Sequence, residues 1–324
     1  MGNIVSVETL RAILQRNFGS EKVGVASIGG SATWGIQFPE GTPGLESLKV
    51  LFNGPVSVGH QLKPIPRVRL LGVIGDDGRE HPAIRVSVHG WYTARDGGCP
   101  SEEASLAVFM MLYELGVHSV IVDASVGAIN GCAPRDVVVV KDVYLANLAQ
   151  VEAAANRYAS LIGISSNRRM GELYCPQIGE VIADVVGKEL NDRTPPFDKL
   201  GGFIRGDVYA NTPLGPFETP SMIQSFVNLG YTVVGQSSGT ESLLARLSGM
   251  CFNGMYIPVN YGEGLKGGAW TPGMSMRGIY EEIATPMALL VALVLARLVT
   301  IAPCGHSKAI LESAEHDEFP VEGA

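Results

Sequence analysis

The spacing of apolar and polar residues along the chain predicts buried strands that alternate with helices. Apolar, β-branched runs predict strands, and segments with an apolar face at helical period predict helices. Alternation of this kind is typical of an α/β fold with three layers, α/β/α, in which helices cover both faces of a central, mixed, twisted sheet. The predicted strands are 22–28, 84–89, 118–123, 137–143, 203–210, 232–236 and 251–259, and the predicted helices include 102–115, 179–190, 220–229 and 240–247.

The most apolar segment, residues 284–301, has the length of a membrane span. It contains Arg297, has Pro286 near its start, where proline suits a first helical turn, and ends before Pro303. A buried core helix is therefore the favoured interpretation. Residues 1–303 are expected to form a single domain, and the charged segment 304–324 is expected to be a flexible tail.

Composition limits the possible partners. Of the 324 residues, 46% are hydrophobic and 17% are charged, which favours a large core and a subunit interface. The net charge of −8 and the lack of basic runs argue against a nucleic acid or membrane partner.

The cysteines give no sign of a disulfide framework or a metal site. The five of them, an odd number, show no C-x-x-C motif or ligand-like spacing, so we expect free thiols in a reducing compartment. No secretory signal is visible at the N-terminus, and a cytoplasmic protein is expected. The positions are Cys99, Cys132, Cys175, Cys251 and Cys304.

Polar side chains follow several of the predicted strands, where open α/β sheets bind their ligands. Phe217 offers a stacking face, Glu218 accepts hydrogen bonds, and Asn260 both donates and accepts. Gln236 and Ser237 follow the strand 232–236 and add an amide and a hydroxyl. The set suits a ligand with a flat heteroaromatic part and a hydroxylated part.

These segments resemble the purine nucleoside phosphorylase and methylthioadenosine phosphorylase family. G-P-F-E-T at 215–219 is similar to the family's G-P-x-F-E-T, V-G-Q-S-S at 234–238 to V-G-M-S-T, and I-P-V-N at 257–260 to a strand that ends in T-N. D-A-S-V-G at 123–127 resembles N-A-A-G-G. The resemblance implies cleavage of the N-glycosidic bond of a purine nucleoside in a homotrimer, without a metal or an organic cofactor and with phosphate as a possible co-substrate.

The resemblance also implies roles for the base-binding residues. Glu218 corresponds to the carboxylate that anchors the N1 side of the purine, and Asn260 to the amide that bonds O6 and N7, which favours a 6-oxopurine. Phe217 and Tyr209 are expected to pack on the base or the sugar. Gln236 stands where relatives carry methionine beside the ribose, which leaves the sugar specificity open.

Further residues are expected around the nucleophile and the sugar. Ser31, after two glycines, together with Ala124, Ser125 and Ser237, corresponds to the family's anion pocket, although small-residue turns at strand ends explain Ser31 and Ser125 equally well. Tyr280 resembles a histidine that contacts the ribose 5′-hydroxyl, and a half-buried helical tyrosine is the alternative. His60, in V-G-H, resembles the family's V-P-G-H and is a candidate acid or base, with an exposed loop histidine as the alternative.

One departure from the family pattern concerns the phosphate. Relatives carry G-R-x-H where this chain has G-W-Y-T at 90–93, so Trp91 replaces the arginine that clamps phosphate. Three outcomes stay open: Arg67, Arg69 or Arg95 supplies the cation, water replaces phosphate in a hydrolase, or the chain binds a nucleoside without cleaving it. A dinucleotide-binding oxidoreductase is disfavoured because residues 29–34 fail the G-x-G-x-x-G pattern.

Overall fold

The computed structural model describes residues 3–33, 36, 38–46, 48–62, 65–87, 101–166, 169–265 and 276–313. The strands are β1 Val5–Ser6, β2 Val25–Gly29, β3 Lys49–Ser57, β4 Arg67–Ile74, β5 Glu80–Ser87, β6 Ser119–Ala128, β7 Val137–Val139, β8 Asp142–Leu145, β9 Phe203–Arg205, β10 Val208–Asn211, β11 Val233–Gly235 and β12 Cys251–Tyr261. The helices are α1 Val7–Phe18, α2 Ser101–Glu114, α3 Leu148–Ile162, α4 Pro176–Asp192, α5 Pro220–Asn228, α6 Ser238–Leu247, α7 Met276–Leu298 and α8 His306–Ser313.

All the strands above belong to one mixed sheet, which confirms the expected α/β class. The main path runs β1-β3-β4-β5-β2-β6-β11-β10-β8, with β12 beside β6 and β7, and β9 beside β7. The centre is parallel: β5, β2, β6 and β12 run in one direction. Long β6 borders β2 and then antiparallel β11 on one edge, and β12 on the other. Because the ends of β2, β6 and β12 meet at one edge of the sheet, residues after them are brought together.

Helices cover both faces of the sheet, as the alternating pattern predicts. Along β6, Val120 and Val122 face one core, with residues of α1, α2, α3 and α6, whereas Ile121 faces a second core with α4 and α7. In β12, Phe252 faces the first core and Met255 faces the second. Two-sided burial explains why these strands read as mainly apolar runs.

The C-terminal region differs in detail from the sequence expectation. The apolar helix α7 begins at Met276, and Pro286 lies inside it. Among the described residues, 278–298 has the length and hydropathy of a membrane span, yet Ile283 and Met287 are fully buried in the second core. The tail expected from residue 304 needs a correction, because α8 occupies part of it and packs against α6 and β12.

Two strands escaped the sequence pattern. β3 and β4 form an antiparallel pair that extends the sheet beyond β5. Gly54 and Pro55 interrupt the pattern in β3, and in β4 the alternation that begins at Arg67 ends after Leu70. Glycine and proline weaken a strand signal, and a strand near the edge of a sheet tolerates both.

Candidate functional site

Three residues predicted to line the anion and sugar pocket are in contact. Ser31 lies in a short 3₁₀ turn just after β2, and its hydroxyl contacts that of Ser125 in β6. The Ser125 N–H donates to Ser31 Oγ at 3.3 Å. Tyr280 of α7 brings its hydroxyl to 2.9 Å from Ser125 Oγ. The hydroxyl groups of two strand ends and one helix therefore form a polar cluster.

A buried ion pair holds the Ser31 turn in place. Arg85 of β5 donates to Asp123 Oδ1 at 2.5 Å and to Thr33 Oγ1 at 2.7 Å, and the Thr33 hydroxyl donates to Asp123 Oδ2 at 2.7 Å. Burial raises the pKa of Asp123, and the charge of Arg85 opposes that rise. The turn is thus tied through Thr33 to both neighbouring strands, which fixes Ser31 against Ser125.

Glycine is required where this turn crosses β6. The Gly30 N–H donates to the Asp123 carbonyl at 2.8 Å. A Cβ atom at Gly30 would lie 2.1 Å from that oxygen, closer than any side chain tolerates. The two glycines before Ser31 therefore do more than form a turn, since Gly30 permits close approach of two backbones.

Glu218 is held just before α5. It is 8% exposed, and the Thr212 hydroxyl donates to its Oε1. Thr212 is in turn fixed by its N–H, which donates to the Gly235 carbonyl at 2.9 Å. Thr219 caps α5 by accepting from the Met222 N–H. The carboxylate is therefore oriented by two strand ends and a helix cap.

The register of the sheet brings Asn260 close to these groups. Asn260 pairs with Gly127 of β6, and Gly127 pairs with Val234 of β11, the residue before Gly235. The register of β12 shifts between Pro258 and Asn260, and the Asn260 Nδ2 donates to the Tyr261 carbonyl at 2.7 Å. Asn260 thus lies at a strand end that adjoins the strand ends of Thr212 and Gly235, which orient Glu218.

The other predicted pocket residues have varied environments. The Gln236 amide donates to the Pro216 carbonyl at 3.2 Å, which fastens the segment that carries Phe217. Phe217 is 53% exposed. Tyr209 is buried against Tyr256, with ring centroids 4.9 Å apart.

Two further pocket residues, Ser237 and Ala124, lie near the same strand ends. The Ser237 N–H donates to the Tyr209 hydroxyl at 3.4 Å, and Ala124, also buried, lies at the crossing of Gly30 with β6. Burial raises the pKa of Tyr209, so its hydroxyl stays protonated. The Tyr209 hydroxyl therefore supports the Ser237 backbone from within the core.

The residues considered for acid-base work and for the missing cation are His60, Arg67, Arg69 and Arg95, of which the structure describes the first three. His60 is exposed and sits near Glu114, at the end of α2 that leads to the start of β6. Burial raises the pKa of Glu114, and the charges of Arg11 and His60 oppose that rise. Arg69 is paired with Glu40 at 3.0 Å. Trp91 and Arg95 lie outside the described residues.

Residues that the sequence pattern missed support the site. Arg85, Asp123 and Thr33 were not singled out, and neither was Thr212. A charged residue inside an apolar strand, as in I-R-V and I-V-D, is the signal that could have found the first pair, since a buried charge needs a partner.

A second buried carboxylate lies behind the polar cluster. Glu241 of α6 is 1% exposed, and neither of its carboxylate oxygens has a hydrogen-bond partner among the described residues. Burial raises its pKa to about 8, with a further contribution from Asp123. Glu241 is therefore mostly protonated near neutral pH.

Three cysteines that are far apart in the sequence lie together in the structure. The expectation of cysteines without ligand-like spacing therefore needs a correction for these three. The sulfur atoms of Cys175, Cys251 and Cys304 all lie within 4.8 Å of one another. This cluster is at the opposite end of β12 from Asn260, because Cys251 pairs with Ser119 at the start of β6. Within the described ranges it is the group whose side chains have metal-ligand spacing.

Several known proteins with related sequence or structure are nucleoside phosphorylases. No family model matches the sequence. A probable S-methyl-5′-thioinosine phosphorylase of Methanopyrus kandleri is 27% identical over 49% of this chain and 57% of its own length. A 6-oxopurine nucleoside phosphorylase of Pyrococcus furiosus is 27% identical over 48% of this chain and 56% of its own length. The aligned part of this chain thus spans little more than half of each relative.

The fold is shared over a larger part of the chain. Methylthioadenosine phosphorylase from Schistosoma mansoni, solved in complex with tubercidin, matches with a TM-score of 0.66 at 15% identity. The match covers 92% of this chain and 100% of the solved one. The mixed sheet and its helices therefore have the arrangement of that enzyme.

Proposed function

We propose that this chain is a divergent member of the purine nucleoside phosphorylase and methylthioadenosine phosphorylase family and that it cleaves the N-glycosidic bond of a purine nucleoside by phosphorolysis. The observation that carries this proposal is the meeting of Ser31, Ser125 and Tyr280 at the sheet edge where Glu218 and Asn260 also lie. One group of residues suits an anion and hydroxyls, and the other suits a purine edge.

The base side has the chemistry that leaving-group stabilisation needs. Negative charge builds on the purine as the bond to the sugar breaks, so donors and acceptors on the ring edge must strengthen in the transition state. Glu218 is pre-oriented by Thr212, and Asn260 lies at the adjoining strand end. An amide can donate to a 6-oxo group, and relatives of this chain bear the names thioinosine and 6-oxopurine phosphorylase. A 6-oxopurine nucleoside is the proposed substrate.

The hydroxyl cluster of Ser31, Ser125 and Tyr280 suits phosphate, whereas the residue at position 91 argues against it. Hydroxyls and backbone N–H groups at the end of a strand are suited to a phosphate oxygen. Trp91, where relatives carry arginine, favours hydrolysis as the second candidate function, because one lost oxyanion donor costs about 3 kcal/mol of transition-state stabilisation. Water needs no such clamp.

A nucleoside panel tests the proposed reaction. Purified protein is incubated with inosine, guanosine, adenosine and their 5′-methylthio forms, with and without phosphate, and free base is measured by chromatography. Base release from 6-oxopurine nucleosides that depends on phosphate supports the proposal. Release that is equal without phosphate supports the hydrolase, and tight binding without release contradicts both.

A homotrimer in the cytoplasm belongs to the same proposal. Four apolar side chains of one stretch next to Glu218 are exposed, and a neighbouring subunit would cover them. Light scattering at micromolar concentration is expected to give three times the chain mass, and a monomeric mass would contradict the assembly. The four residues are Leu214, Phe217, Met222 and Leu229.

A further inference from the structure

Three cysteines far apart in the sequence converge at the sheet edge opposite the proposed nucleoside site. The sulfur of Cys304 lies 3.5 Å from that of Cys175 and 3.4 Å from that of Cys251. A tetrahedral zinc ion with sulfur bonds of about 2.3 Å holds its thiolates about 3.8 Å apart. The three sulfur atoms are therefore already near the spacing of one face of such a site.

Backbone N–H groups lie beside all three sulfur atoms: that of Ile178 beside Cys175, that of Ser307 beside Cys251 and that of His306 beside Cys304. Cys175 and Cys251 are also held rigidly, as the residue before α4 and the first residue of β12.

His306 lies close to the cluster in sequence, but its ring nitrogens are outside the group of atoms within 4.8 Å of one another, so the imidazole has to turn towards the sulfur atoms to bind a metal. It stands two residues after Cys304, and its Nδ1 atom is buried without a hydrogen-bond partner in the described part of the chain. Its Nε2 atom lies 4.0 Å from a carboxylate oxygen of Glu172. Metal-bound histidines commonly give their second nitrogen to a carboxylate, which fixes the tautomer and the ring orientation.

A buried arginine beside the cluster interacts with one carboxylate, that of Glu172, whose side chain is 69% exposed. Arg246 is 0% exposed, its Nη2 donates to the Glu172 carbonyl, and its Nε and Nη1 atoms have no partner among the described residues. Burial of a charge is costly unless opposite charge lies close by. Zn²⁺ with three thiolates and a neutral imidazole has a net charge of −1, so a filled site would add a negative charge next to Arg246.

We propose that Cys175, Cys251, Cys304 and His306 bind one zinc ion in a structural site. Three thiolates and one imidazole fill a tetrahedron and leave no open position for substrate or water, which is typical of structural zinc. Exposed Cys304 offers the path of entry. Each ion that binds displaces the thiol protons, which pass to solvent.

The position of the cluster separates this zinc from the proposed reaction. Cys251 and Asn260 stand at opposite ends of β12, about 30 Å apart at the rise of an extended strand. The ion would join the start of α4, the start of β12 and the segment before α8. Its removal is therefore expected to lower stability and to leave the chemical step unchanged.

Metal content of the reduced full-length protein tests the proposal. The protein is stripped with a chelator, reconstituted with excess zinc under reducing conditions, desalted and measured by elemental analysis. One zinc per chain is expected for the unaltered protein and for Cys132→Ser, a matched control because Cys132 is a free thiol outside the cluster. Cys304→Ser is expected to weaken zinc binding by more than about 100-fold. Equal zinc content in Cys304→Ser, or none in the unaltered protein, overturns the proposal.

Cobalt gives an independent readout of the ligand set. Cobalt bound to the unaltered protein is expected to show a thiolate charge-transfer band and the intense visible bands of tetrahedral coordination. His306→Ala should change the visible bands and Glu172→Gln should lower affinity about 10- to 100-fold with the bands retained. A disulfide between two of the cysteines that persists under reducing conditions, or octahedral cobalt bands, would contradict the assignment.

Thermal stability separates this site from the proposed function. Zinc at 100 times its dissociation constant should raise the melting temperature by an amount that corresponds to about 2.7 kcal/mol, in the unaltered protein and in Cys132→Ser but not in Cys304→Ser. Base release is expected to persist in the stripped protein below its melting temperature. Absent activity with a zinc shift present would count against the phosphorylase alone, and the reverse result against the zinc site alone.

Discussion

Two buried arginines, one in the sheet and one in helix α6 packed on it, are in different circumstances. Arg85, 2% exposed, bonds Asp123 and Thr33 under the Ser31 turn. Arg246, 0% exposed, bonds one carbonyl and leaves two guanidinium nitrogens without partners among the described residues. Burial imposes a similar desolvation cost on both charges.

The difference shows what each arginine does. Where the chain supplies its own carboxylate, the charge serves to position a turn, and Ser31 is held against Ser125 as a result. Where the neighbouring carboxylate is the largely exposed one of Glu172, the thiols of the cluster become a further anion once they bind a metal. A buried charge whose hydrogen bonds are satisfied thus indicates support of a site, and one with unsatisfied donors indicates a ligand.

Breaking the satisfied pair should have the largest effect. Asp123→Asn leaves Arg85 buried without a counter-charge, so the free energy of unfolding is expected to fall by about 3 to 5 kcal/mol. Urea denaturation measures it. Asp207→Asn, which breaks an exposed pair with Lys141, is the control and should cost less than about 1 kcal/mol. Equal losses would show that Arg85 gains nothing from Asp123.

Asn260 sharpens the comparison because it lies at the same sheet edge but holds no buried charge. Asn260→Ala removes base contacts that strengthen as the purine leaves, so kcat/KM should fall by about 100- to 1000-fold. The melting temperature should stay close to that of the unaltered protein. A stable variant with unchanged kcat/KM would remove Asn260 from the base site.

Glu241 extends the comparison to a buried carboxylate without a partner. Its folded-state pKa of about 8 exceeds the ordinary value of 4.5, so the folded protein keeps a proton that the unfolded chain releases between these values. Stability from this group is present below pH 4.5 and is lost as the pH rises towards 8. Glu241→Gln should therefore abolish a decline of about 3 kcal/mol between pH 4.5 and 7, measured by denaturant unfolding. Parallel pH profiles of the two proteins would contradict the assignment.

The smallest effect is expected at Thr33, because it bonds both members of the ion pair but carries no charge itself. Thr33→Val removes one hydroxyl that donates to Asp123 and accepts from Arg85, at an expected cost of about 1 to 3 kcal/mol. The KM for phosphate should rise as Ser31 loses its support, whereas the KM for nucleoside should change less. Thr33→Ser keeps the hydroxyl and is expected to restore both values.

The central strands and the contiguous motifs could be predicted from the sequence. β2, β6 and β12 are buried on both faces, so they appear as mainly apolar runs with few polar residues. Glu218 and Ser125 were singled out because each lies in a short contiguous motif that resembles one of the family.

Features that depend on register could not be predicted in this way. Arg85 and Asp123 meet because β2 aligns β5 with β6, and Cys175, Cys251 and Cys304 meet because separate elements begin at one edge. No local spacing encodes either contact. The nine-residue strand β3 was hidden by its glycine and proline.

The central claim, phosphorolysis at the edge where Ser31, Ser125, Glu218 and Asn260 meet, is tested most directly by the fate of the sugar. Inosine is incubated with the protein and phosphate in ¹⁸O-labelled water, and the products are followed by phosphorus NMR and mass spectrometry. We predict one sugar 1-phosphate for each hypoxanthine released, without ¹⁸O in the sugar. Hypoxanthine with an equal amount of ¹⁸O-labelled free ribose and no sugar 1-phosphate would contradict the claim and identify a hydrolase.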